Sequence, residues 1–197
     1  IAAAADLGTA TVNIAGTGTV TVAAGATVGA ANLHMVDAGA ITGAAAELHQ
    51  VQISDTDLNG TVTITALETT LNADLSTIVA GTVTAEFDTS GTFIGDLGSS
   101  SVIVADSQTM TLSAARANAK TIGEADATNA TVAITELEST LDANLSNITT
   151  NVITAALATG DTAKEIAAGA NLGTATVNIA GTGVVTVAAG ATVGAAN

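Results

Sequence analysis

Short runs in which β-branched residues alternate with threonine recur along the chain. In Thr61–Thr65, Val62 and Ile64 alternate with three threonines, the period of two expected of a strand with one buried face. The same pattern predicts strands at Thr9–Ile14, Gly18–Val22, Ser101–Val104, Thr174–Ile179 and Gly183–Val187. The alternation also predicts an interior that holds Val12, Ile14, Val20, Val22, Val62, Ile64, Val132 and Ile134.

A helical pattern follows two of these runs. Leu67, Leu71, Leu75 and Ile78 fall within an arc of about 80 degrees when they are placed on a helix, which makes a narrow apolar stripe. Capping-box spacing at Thr65-x-x-Glu68 and Thr135-x-x-Glu138 would start a helix after each strand. We therefore predict strand–helix units in Thr61–Ile78 and Thr131–Ile148, further strands near Gly81–Phe87 and Asn151–Leu157, and shorter helices at Ala44–Gln50 and Ser113–Lys120.

The sequence repeats itself on two scales. Residues 1–32 match residues 166–197 at 29 of 32 positions, with an offset of 165, which indicates a recent duplication. The segments Thr61–Ile78 and Thr131–Ile148 are identical at 12 of 18 positions, which indicates an older repeat. We interpret residues 1–165 as one full repeat unit and residues 166–197 as the start of the next, and we expect the sequence to be a window on a longer array.

Composition narrows the fold. Apolar residues make up 48% of the chain and aromatic residues only 1%, so the interior is built from Ala, Val, Leu and Ile and should be narrow. Short strands punctuated by glycine, nested repeats and the absence of proline favour a mainly β fold, a β-helix-like parallel β-solenoid of stacked coils with short α-helices after some strands. The rival architecture is a string of β-sandwich domains, which should show linkers and buried aromatic residues.

Charge limits the partners. All 18 acidic and all three basic residues lie in residues 1–165, so the repeat carries a net charge of −15. A polyanion without a basic patch argues against nucleic acid or anionic lipid as a partner, whereas divalent cations remain candidates. Residues 166–197 carry no charge, but their glycine content and lack of aromatic residues argue against a membrane span. There is no cysteine to supply a disulfide or a thiol nucleophile.

The candidate catalytic residues are few, and we predict that the chain is not an enzyme. Familiar nucleophile, zinc-protease and nucleotide-binding motifs are missing, and the only imidazoles are His34 and His49. For His49 we expect a surface or capping role. Pairs of carboxylates two residues apart, which would share one face of a strand, occur at Asp55/Asp57, Glu86/Asp88 and Glu136/Glu138.

The sharpest local motif is "DTDLNG" at Asp55–Gly60. Asp55, Asp57 and Asn59, followed by a glycine, match the first half of a calcium-binding loop, so these three residues are candidate calcium ligands. The twelfth position of such a loop, where a bidentate Glu belongs, is Ala66. The alternatives are a partial calcium site completed by another loop and an Asx-rich turn between strands that holds no cofactor.

Threonines also recur in Thr-x-Thr pairs, which β-solenoid ice-binding proteins display in flat ladders. The alternative explanation is that Thr is a good β-former on a solvated face. Ice binding requires the pairs to be in register on successive coils, and their irregular spacing in the sequence argues against it. The pairs are Thr9/Thr11, Thr17/Thr19/Thr21, Thr61/Thr63/Thr65, Thr82/Thr84, Thr109/Thr111 and Thr174/Thr176.

The chain resembles the acidic, cysteine-free, Ala/Thr/Gly/Val-rich repeats of giant secreted bacterial surface proteins, such as adhesin stalks and extracellular fibres. The resemblance covers the whole sequence and rests on its composition, on its long near-identical repeats and on units such as "TVTITALETTLNADLSTI". It implies an exported prokaryotic protein, extracellular or at the cell surface. The chain departs from many such proteins in lacking a glycine-rich calcium nonapeptide, which puts calcium dependence in doubt.

Three functional hypotheses follow. The first is a structural, non-catalytic filament or stalk, in which repeats stack on one another into a rigid anionic rod and the partner is the protein itself, in adjacent repeats or neighbouring filaments. The second is a repetitive binding module, an adhesin or ice-binding face that gains avidity from repetition, with or without stabilisation by calcium. The second hypothesis predicts one regular, exposed ladder of Thr or Asp. The third is self-assembly of separate short chains, in which the end segments, alike in sequence, dock onto neighbours.

Overall fold

The computed structural model describes residues 1–29, 31–67, 69–126, 129–159, 164–179 and 184–194. They form two compact units, of which the first comprises Ile1–Asp88 and Gly95–Ile103 and the second Thr89–Ile94 and Val104–Asn197. Each unit consists of stacked parallel strands and one short helix. The predicted fold class, a mainly β parallel solenoid with short inserted helices, is confirmed.

The strands that the structure describes are short. The elements are, in chain order, β1 (Thr11–Ile14), β2 (Thr19–Thr21), β3 (Asn32–Met35), β4 (Ala40–Gly43), α1 (Ala45–Leu48), β5 (Gln52–Asp55), β6 (Thr61–Ile64), β7 (Thr82–Phe87), β8 (Gly91–Thr92), β9 (Ser101–Val104), β10 (Thr109–Ser113), α2 (Ala114–Ala117), β11 (Ile122–Glu124), β12 (Thr131–Leu137), β13 (Val152–Leu157), β14 (Glu165–Ile166), β15 (Thr176–Asn178) and β16 (Thr186–Val187). Within the described residues, strands therefore lie at each run that the alternation predicts.

In the first unit the strands stack in two rows. One row has the order β1-β3-β5, and the other contains β2, β4, β6, β7 and β9 in that order. The pairing from β2 through β7 is parallel and in register, with Thr19 opposite Ala40, Ala40 opposite Thr61, and Thr61 opposite Thr82. The paired residues are the same number of positions apart at each of these steps. Each coil therefore brings the backbone back to lie beside the strand from which the coil started.

The second unit is built in the same way. Its main sheet has the order β8-β10-β12-β13-β15, and neighbouring strands in it are parallel. A separate parallel pair joins β14 and β16, with Glu165 opposite Thr186. Strand β11 approaches the segment before β13 through a parallel bridge between Ile122 and Ile148. The coils of this unit are therefore also stacked, so that strands of neighbouring coils lie side by side.

Burial follows the alternation of the sequence. Six of the eight side chains predicted to be interior are buried, whereas Val12 and Val20 are half-buried. Both exceptions lie on β1 and β2, which stand at the edges of their sheets and have a strand on one side only. A coil of this kind covers its apolar face with its neighbours, so an edge coil leaves part of that face in water.

The two predicted long helices are wrong. The described residues between β6 and β7 form turns and two isolated bridges, and Thr135 and Leu137 belong to β12. Glu68, the predicted capping residue, lies outside the described residues. The Thr135 side chain, instead of capping a helix, donates a hydrogen bond to the carbonyl of Leu112 on the neighbouring strand. The shorter helices α1 and α2, in contrast, lie within the predicted ranges Ala44–Gln50 and Ser113–Lys120.

Leucines of the predicted helical stripe are buried by the stacking of coils and not by the packing of a helix. Leu67 and Leu75 are both buried, but their backbone N–H groups donate to the next coil, to the carbonyls of Glu86 (2.8 Å) and Asp96 (2.9 Å). The segment between them is rich in Thr, Asn and Asp, whose side chains compete for backbone hydrogen bonds and disfavour a helix interior. Turns of stacked coils thus bury the leucines that the helical pattern would have buried.

A short corner motif recurs where the coils turn. An Asp or Asn is followed by Leu and then by Gly or Ser, and the Asp or Asn side-chain oxygen accepts the backbone N–H of the Gly or Ser at 2.8–3.2 Å. Parallel bridges stack these corners, as between Asp74 and Asp96 and between Asn144 and Asn171. The corners are Asp6–Gly8, Asp74–Ser76, Asp96–Gly98, Asn144–Ser146 and Asn171–Gly173.

The older repeat extends beyond the two segments Thr61–Ile78 and Thr131–Ile148 that define it in the sequence. Helix α1 starts at Ala45 and α2 at Ala114, 69 positions later, and β7 and β13 begin 70 positions apart at Thr82 and Val152. Side-chain caps repeat as well: His49 accepts the N–H of Asp74, and Asn118 accepts the N–H of Asn144. The two units are therefore built on one ancestral pattern, which recurs with nearly the same offset in helix, strand and cap.

One corner holds a buried hydroxyl without a hydrogen bond. Ser100, just after the corner Asp96–Gly98, is 2% exposed, and its Oγ has no partner in the part of the chain that the structure describes. Equivalent positions that hold alanine include Ala175, after the corner Asn171–Gly173, and Ala31, after the similar turn at Thr27–Gly29. All three donate their backbone N–H to a leucine or valine carbonyl within the preceding turn at 3.0 Å. Ser100 thus occupies a position that fits alanine.

Replacing Ser100 with alanine should stabilise the protein. The change removes a buried hydroxyl that gains nothing in the folded state, and we expect the free energy of unfolding to rise by about 1 kcal/mol. Denaturant unfolding of Ser100→Ala measures the effect, and Ser99→Ala, at an exposed neighbouring position, is the matched control. A loss of stability in Ser100→Ala alone would show that the hydroxyl has a partner.

Candidate functional site

The candidate calcium loop begins with a carboxylate that is already used by the backbone. Asp55 ends β5 and is 6% exposed. Its Oδ1 accepts the N–H of Asp57 at 3.3 Å, and its Oδ2 accepts the N–H of Gly60 at 2.7 Å and of Gly81 at 3.3 Å. The side chain therefore closes the loop Asp55–Gly60 and ties it to the following coil.

The glycine at position 81, on that following coil, is required by the packing. A Cβ added to Gly81 would overlap the carbonyl group of Leu58. The backbone of the next coil thus lies directly on the loop, within reach of the Asp55 carboxylate. A side chain at position 81 would force the two coils apart.

The second unit repeats this arrangement with a different acid. Glu124 ends β11, and its Oε2 accepts the backbone N–H of Ala130 at 3.2 Å. Asp55 and Glu124 are 69 positions apart, the spacing of the older repeat, and each carboxylate closes the loop that leads to the next strand. A loop-closing role for this carboxylate is therefore common to both units.

The calcium interpretation stays a prediction. The structure brings Asp55, Asp57 and Asn59 into one loop, but Asp57 and Asn59 are exposed whereas Asp55 is buried. In the part of the chain that the structure describes, no three His, Asp or Glu side chains are grouped so as to hold a metal ion. A calcium ion at this loop would have to share the Asp55 carboxylate with backbone N–H groups or displace them.

The two histidines act as polar links between coils. The Nδ1 of His34 lies 2.9 Å from the hydroxyl of Ser54 on the next strand, and its Nε2 lies 3.3 Å from the hydroxyl of Thr56. The Nδ1 of His49 accepts the backbone N–H of Asp74 at 2.9 Å, which links two coils and does not cap helix α1. Each imidazole joins residues on adjacent coils.

Asp74 lies beside His49 and has a perturbed carboxyl. Its Oδ1 accepts hydrogen bonds from the hydroxyl (2.6 Å) and the backbone N–H (3.0 Å) of Ser76. These two bonds, with a smaller electrostatic contribution from His49, lower the pKa of Asp74 below the ordinary value for aspartate. The shift thus has a structural origin, the corner turn, and Asn144 accepts the same pair of bonds from Ser146 in the second unit.

The other carboxylate pairs do not form compact sites. Glu86 near the end of β7 and Asp88 just after it are both exposed, as are Glu136 and Glu138 at the end of β12. Glu136 has a φ of +57°, and the register of β12 against β13 shifts at this point. That irregularity removes the simple alternation on which a shared face depends.

Outward-facing threonines form an in-register ladder in the first unit. Thr21 is opposite Thr42, Thr42 opposite Thr63, and Thr63 opposite Thr84. A second row, two residues earlier on each strand, consists of Thr19, Ala40, Thr61 and Thr82. The ladder gives an uncharged array whose members repeat at about 4.8 Å between strands and at roughly 6.6 Å along each strand.

The sequence-based argument that the threonine pairs are irregularly spaced is therefore wrong for this sheet. The pairing is regular from strand to strand, and the series looked irregular because Ala40 replaces one threonine. Thr42 was missed as a ladder member for the same reason, since it forms no Thr-x-Thr pair. The signal that would have identified it is the constant interval between Thr21, Thr42, Thr63 and Thr84.

Comparison with known proteins gives no relative from which a function could be carried over. No family model, curated protein or solved structure matches the chain. Among the residues that the structure describes, none of the helices has the length and apolar character needed to cross a membrane.

Replacing Asp55 with alanine should destabilise the first unit. The change leaves the buried N–H of Gly60 without an acceptor, and we expect a loss of about 1–3 kcal/mol in the free energy of unfolding. The matched control is Asp57→Ala, at an exposed position of the same loop, for which a change within about 0.5 kcal/mol is expected. Denaturant unfolding measures both variants.

The same measurement with added calcium tests the cation site. A structural turn predicts that calcium leaves the unfolding midpoint of the wild-type protein unchanged. A midpoint that rises with calcium in the wild type but not in Asp57→Ala would instead establish calcium binding at the loop. An Asp55→Ala variant as stable as the wild type would contradict the loop-closing role.

Proposed function

We propose that this chain is a structural, non-catalytic segment of an extracellular filament or cell-surface stalk. It acts by stacking its repeats into a long, stiff, anionic fibre, in which adjacent repeats are the partners. The observation that carries the proposal is the fold of the duplicated segment: its second copy continues the stack of the second unit in the same manner as one coil follows another within a repeat.

The two copies of the duplicated segment share equivalent backbone hydrogen bonds. The N–H of Leu7 donates to the carbonyl of Thr27 at 3.0 Å, and in the second copy the N–H of Leu172 donates to the carbonyl of Thr192 at 2.9 Å. The parallel bridges Asp6–Thr27 and Asn171–Thr192 are also equivalent, each number differing by 165. The duplicated sequence therefore encodes the same coil twice.

The second copy is docked on the end of the preceding repeat. Thr176 and Val177 of β15 pair in parallel with Thr154 and Ala155 of β13, although β13 belongs to the repeat that ends at residue 165. The junction between repeats is thus made by the same ladder that joins coils inside a repeat. Continuation of this ladder from repeat to repeat supports a continuous rod.

The charge of the repeat fits a fibre that remains dispersed. Residues 1–165, one full repeat, carry a net charge of −15, and like charges along a rod keep neighbouring rods apart unless cations bridge them. The extracellular location is part of the proposal and is supported by the compositional resemblance to secreted surface repeats. The many polar side chains that cap loops and corners favour a structural role over a catalytic one.

Electron microscopy of a protein with several tandem copies of residues 1–165 tests the proposal. With about seven coils per repeat and ~4.8 Å between strands, an axial period of about 35 Å along a thin unbranched fibre is expected. The control is a protein of the same length in which every position equivalent to Leu145 is aspartate, which places a charge in the buried corner of each junction. Beads on a flexible string in the unmodified protein would contradict the rod.

A second candidate function is a repetitive binding face, favoured by the threonine ladder. In-register hydroxyl and methyl groups on four neighbouring strands form the regular array that adsorption to a crystalline surface such as ice requires. This face lies in the first unit on β2, β4, β6 and β7. In a tandem array it would recur once in each repeat and gain avidity.

Thermal hysteresis of ice growth tests this second function. If the ladder binds ice, the wild-type protein depresses the freezing point below the melting point, and Thr63→Tyr abolishes the effect because the ring stands above the ladder. Ala133→Tyr, at an outward half-buried position on β12, is the matched control and should retain the effect. Absence of hysteresis in the wild type would exclude ice as the ligand.

A further inference from the structure

The edge of β13 and the corner before it form a surface that receives another coil. This receiving coil, residues 142–157, pairs through β13 with β15. Next to the strand, the N–H of Asn171 donates to the carbonyl of Ala143 at 2.8 Å, and the N–H of Leu145 donates to the carbonyl of Asn171 at 2.7 Å. The receiving coil is therefore held by hydrogen bonds at the strand and at the corner.

Two apolar side chains of the second copy are buried where it docks on the receiving coil. Val177 is opposite Ala155 and is 3% exposed, and Leu172 is fully buried. The residue equivalent to Val177 in the first copy is Val12, which is only half-buried because β1 stands at the edge of its sheet.

We propose that residues 1–32 of a second copy of this chain occupy the receiving coil in place of residues 166–197, so that chains join head to tail. In such a joint Thr11, Val12 and Asn13 of one chain pair with residues 154–156 of the next, in the register that Thr176–Asn178 adopt within one chain. The proposal deepens the filament function, on which its biological meaning rests, by naming the surface through which separate chains join.

Two of the three differences between the copies favour the intramolecular joint. The N–H of Gly169 donates to Oδ1 of Asp142 at 2.9 Å, and a Cβ at position 169 would lie 2.5 Å from Cγ of that aspartate. The first copy has Ala4 at this position, so its methyl group requires the exposed Asp142 side chain to turn away. Asn171 stacks on Asn144 without charge, whereas the first copy places Asp6 there.

Linkage within one chain adds to this preference. Residues 166–197 are tethered to the receiving coil by a short connection, which gives them a high effective concentration. The wild-type chain should therefore close on its own second copy when dilute. Exchange becomes the favoured state when the second copy is prevented from docking, because the receiving coil then exposes an unpaired strand edge that residues 1–32 of another chain fit.

The experiment disables each copy at the same position in the full chain. Leu172→Asp places a charge in the buried corner and frees the receiving coil, and we expect head-to-tail oligomers whose mean mass at least doubles as concentration rises. Leu7→Asp, the equivalent change in the first copy, should stay monomeric. The double variant Leu7→Asp/Leu172→Asp has the receiving coil exposed but no competent occupant, and it should also stay monomeric.

Sedimentation velocity over a range of concentrations measures mass, and circular dichroism checks that each variant keeps its β content. Oligomers of the double variant equal to those of Leu172→Asp would overturn the proposal in favour of non-specific pairing of strand edges. A folded Leu172→Asp chain that remains monomeric at all concentrations would also overturn it. Stacking of covalently linked repeats would be untouched by that result, so failure of the joint is distinguishable from failure of the filament function.

A milder pair of variants tests the same joint if Leu172→Asp does not fold. Gly169→Ala gives the second copy the methyl group of the first, and Ala4→Gly removes that group from the first copy. Combined in one full chain, the two changes reverse the natural preference, and we expect this double variant to form head-to-tail oligomers at a lower concentration than the wild-type chain does. Equal oligomer mass in both chains at every concentration would contradict the assigned contact.

Discussion

Burial of an apolar side chain in this protein depends on whether a coil lies next to it. The duplicated segment demonstrates the dependence, because the same residues occur with different neighbours. Ile14, followed by the coil of β3, is 4% exposed, whereas its equivalent Ile179 is 49% exposed; Val22 and Val187 differ in the same way, at 3% and 51%. Val12 and Val177 differ in the opposite direction because only Val177 has a preceding coil. No single coil forms a core, so stability arises between coils.

The same constraint explains where the polar side chains lie and which groups they bind. A stacked coil must satisfy the backbone groups of its turns, and Asp, Asn, Glu and His side chains accept those N–H groups at corners and loop closures. Asp55, a candidate calcium ligand in the sequence, and His49, one of its two imidazoles, each accept backbone N–H groups, as does Asp74 at a corner. This use of polar residues favours a protein whose function is its architecture. The threonine ladder is different, because it faces outward and caps no turn.

Much of the fold was predictable because its main signal is local. Strands such as β6 and β9 follow from alternation alone, and the solenoid follows from small apolar residues, glycine punctuation and nested repeats. The long helices were predicted wrongly because leucines at Leu67, Leu71 and Leu75 have helical spacing, although two of them serve as interior residues of stacked turns. Whether turns or a helix carry such a stripe is decided by hydrogen bonds to the next coil, which are not visible in one segment.

The candidate sites were harder to predict because they depend on register between distant segments. The register that places Ala40 opposite Thr19 and Thr61 also places Thr42 in the ladder. This relation appears when the sequence is written with one coil in each row. The corner motif was missed because its first residue changes between Asp and Asn and its third between Gly and Ser. Its members are also separated by coils of different length, so no fixed period reveals them.

The most direct test of this account measures whether Thr42 and Thr84, which are far apart in sequence, are two strands apart in space. Nitroxide labels on cysteines at these positions, both on the ladder of the first unit, should lie about 10 Å apart at the backbone, twice the spacing between parallel strands. Continuous-wave electron paramagnetic resonance should then show strong dipolar broadening that disappears in denaturant. Narrow spectra equal to those of the singly labelled chains would contradict the stacked register on which the fold and the proposed filament depend.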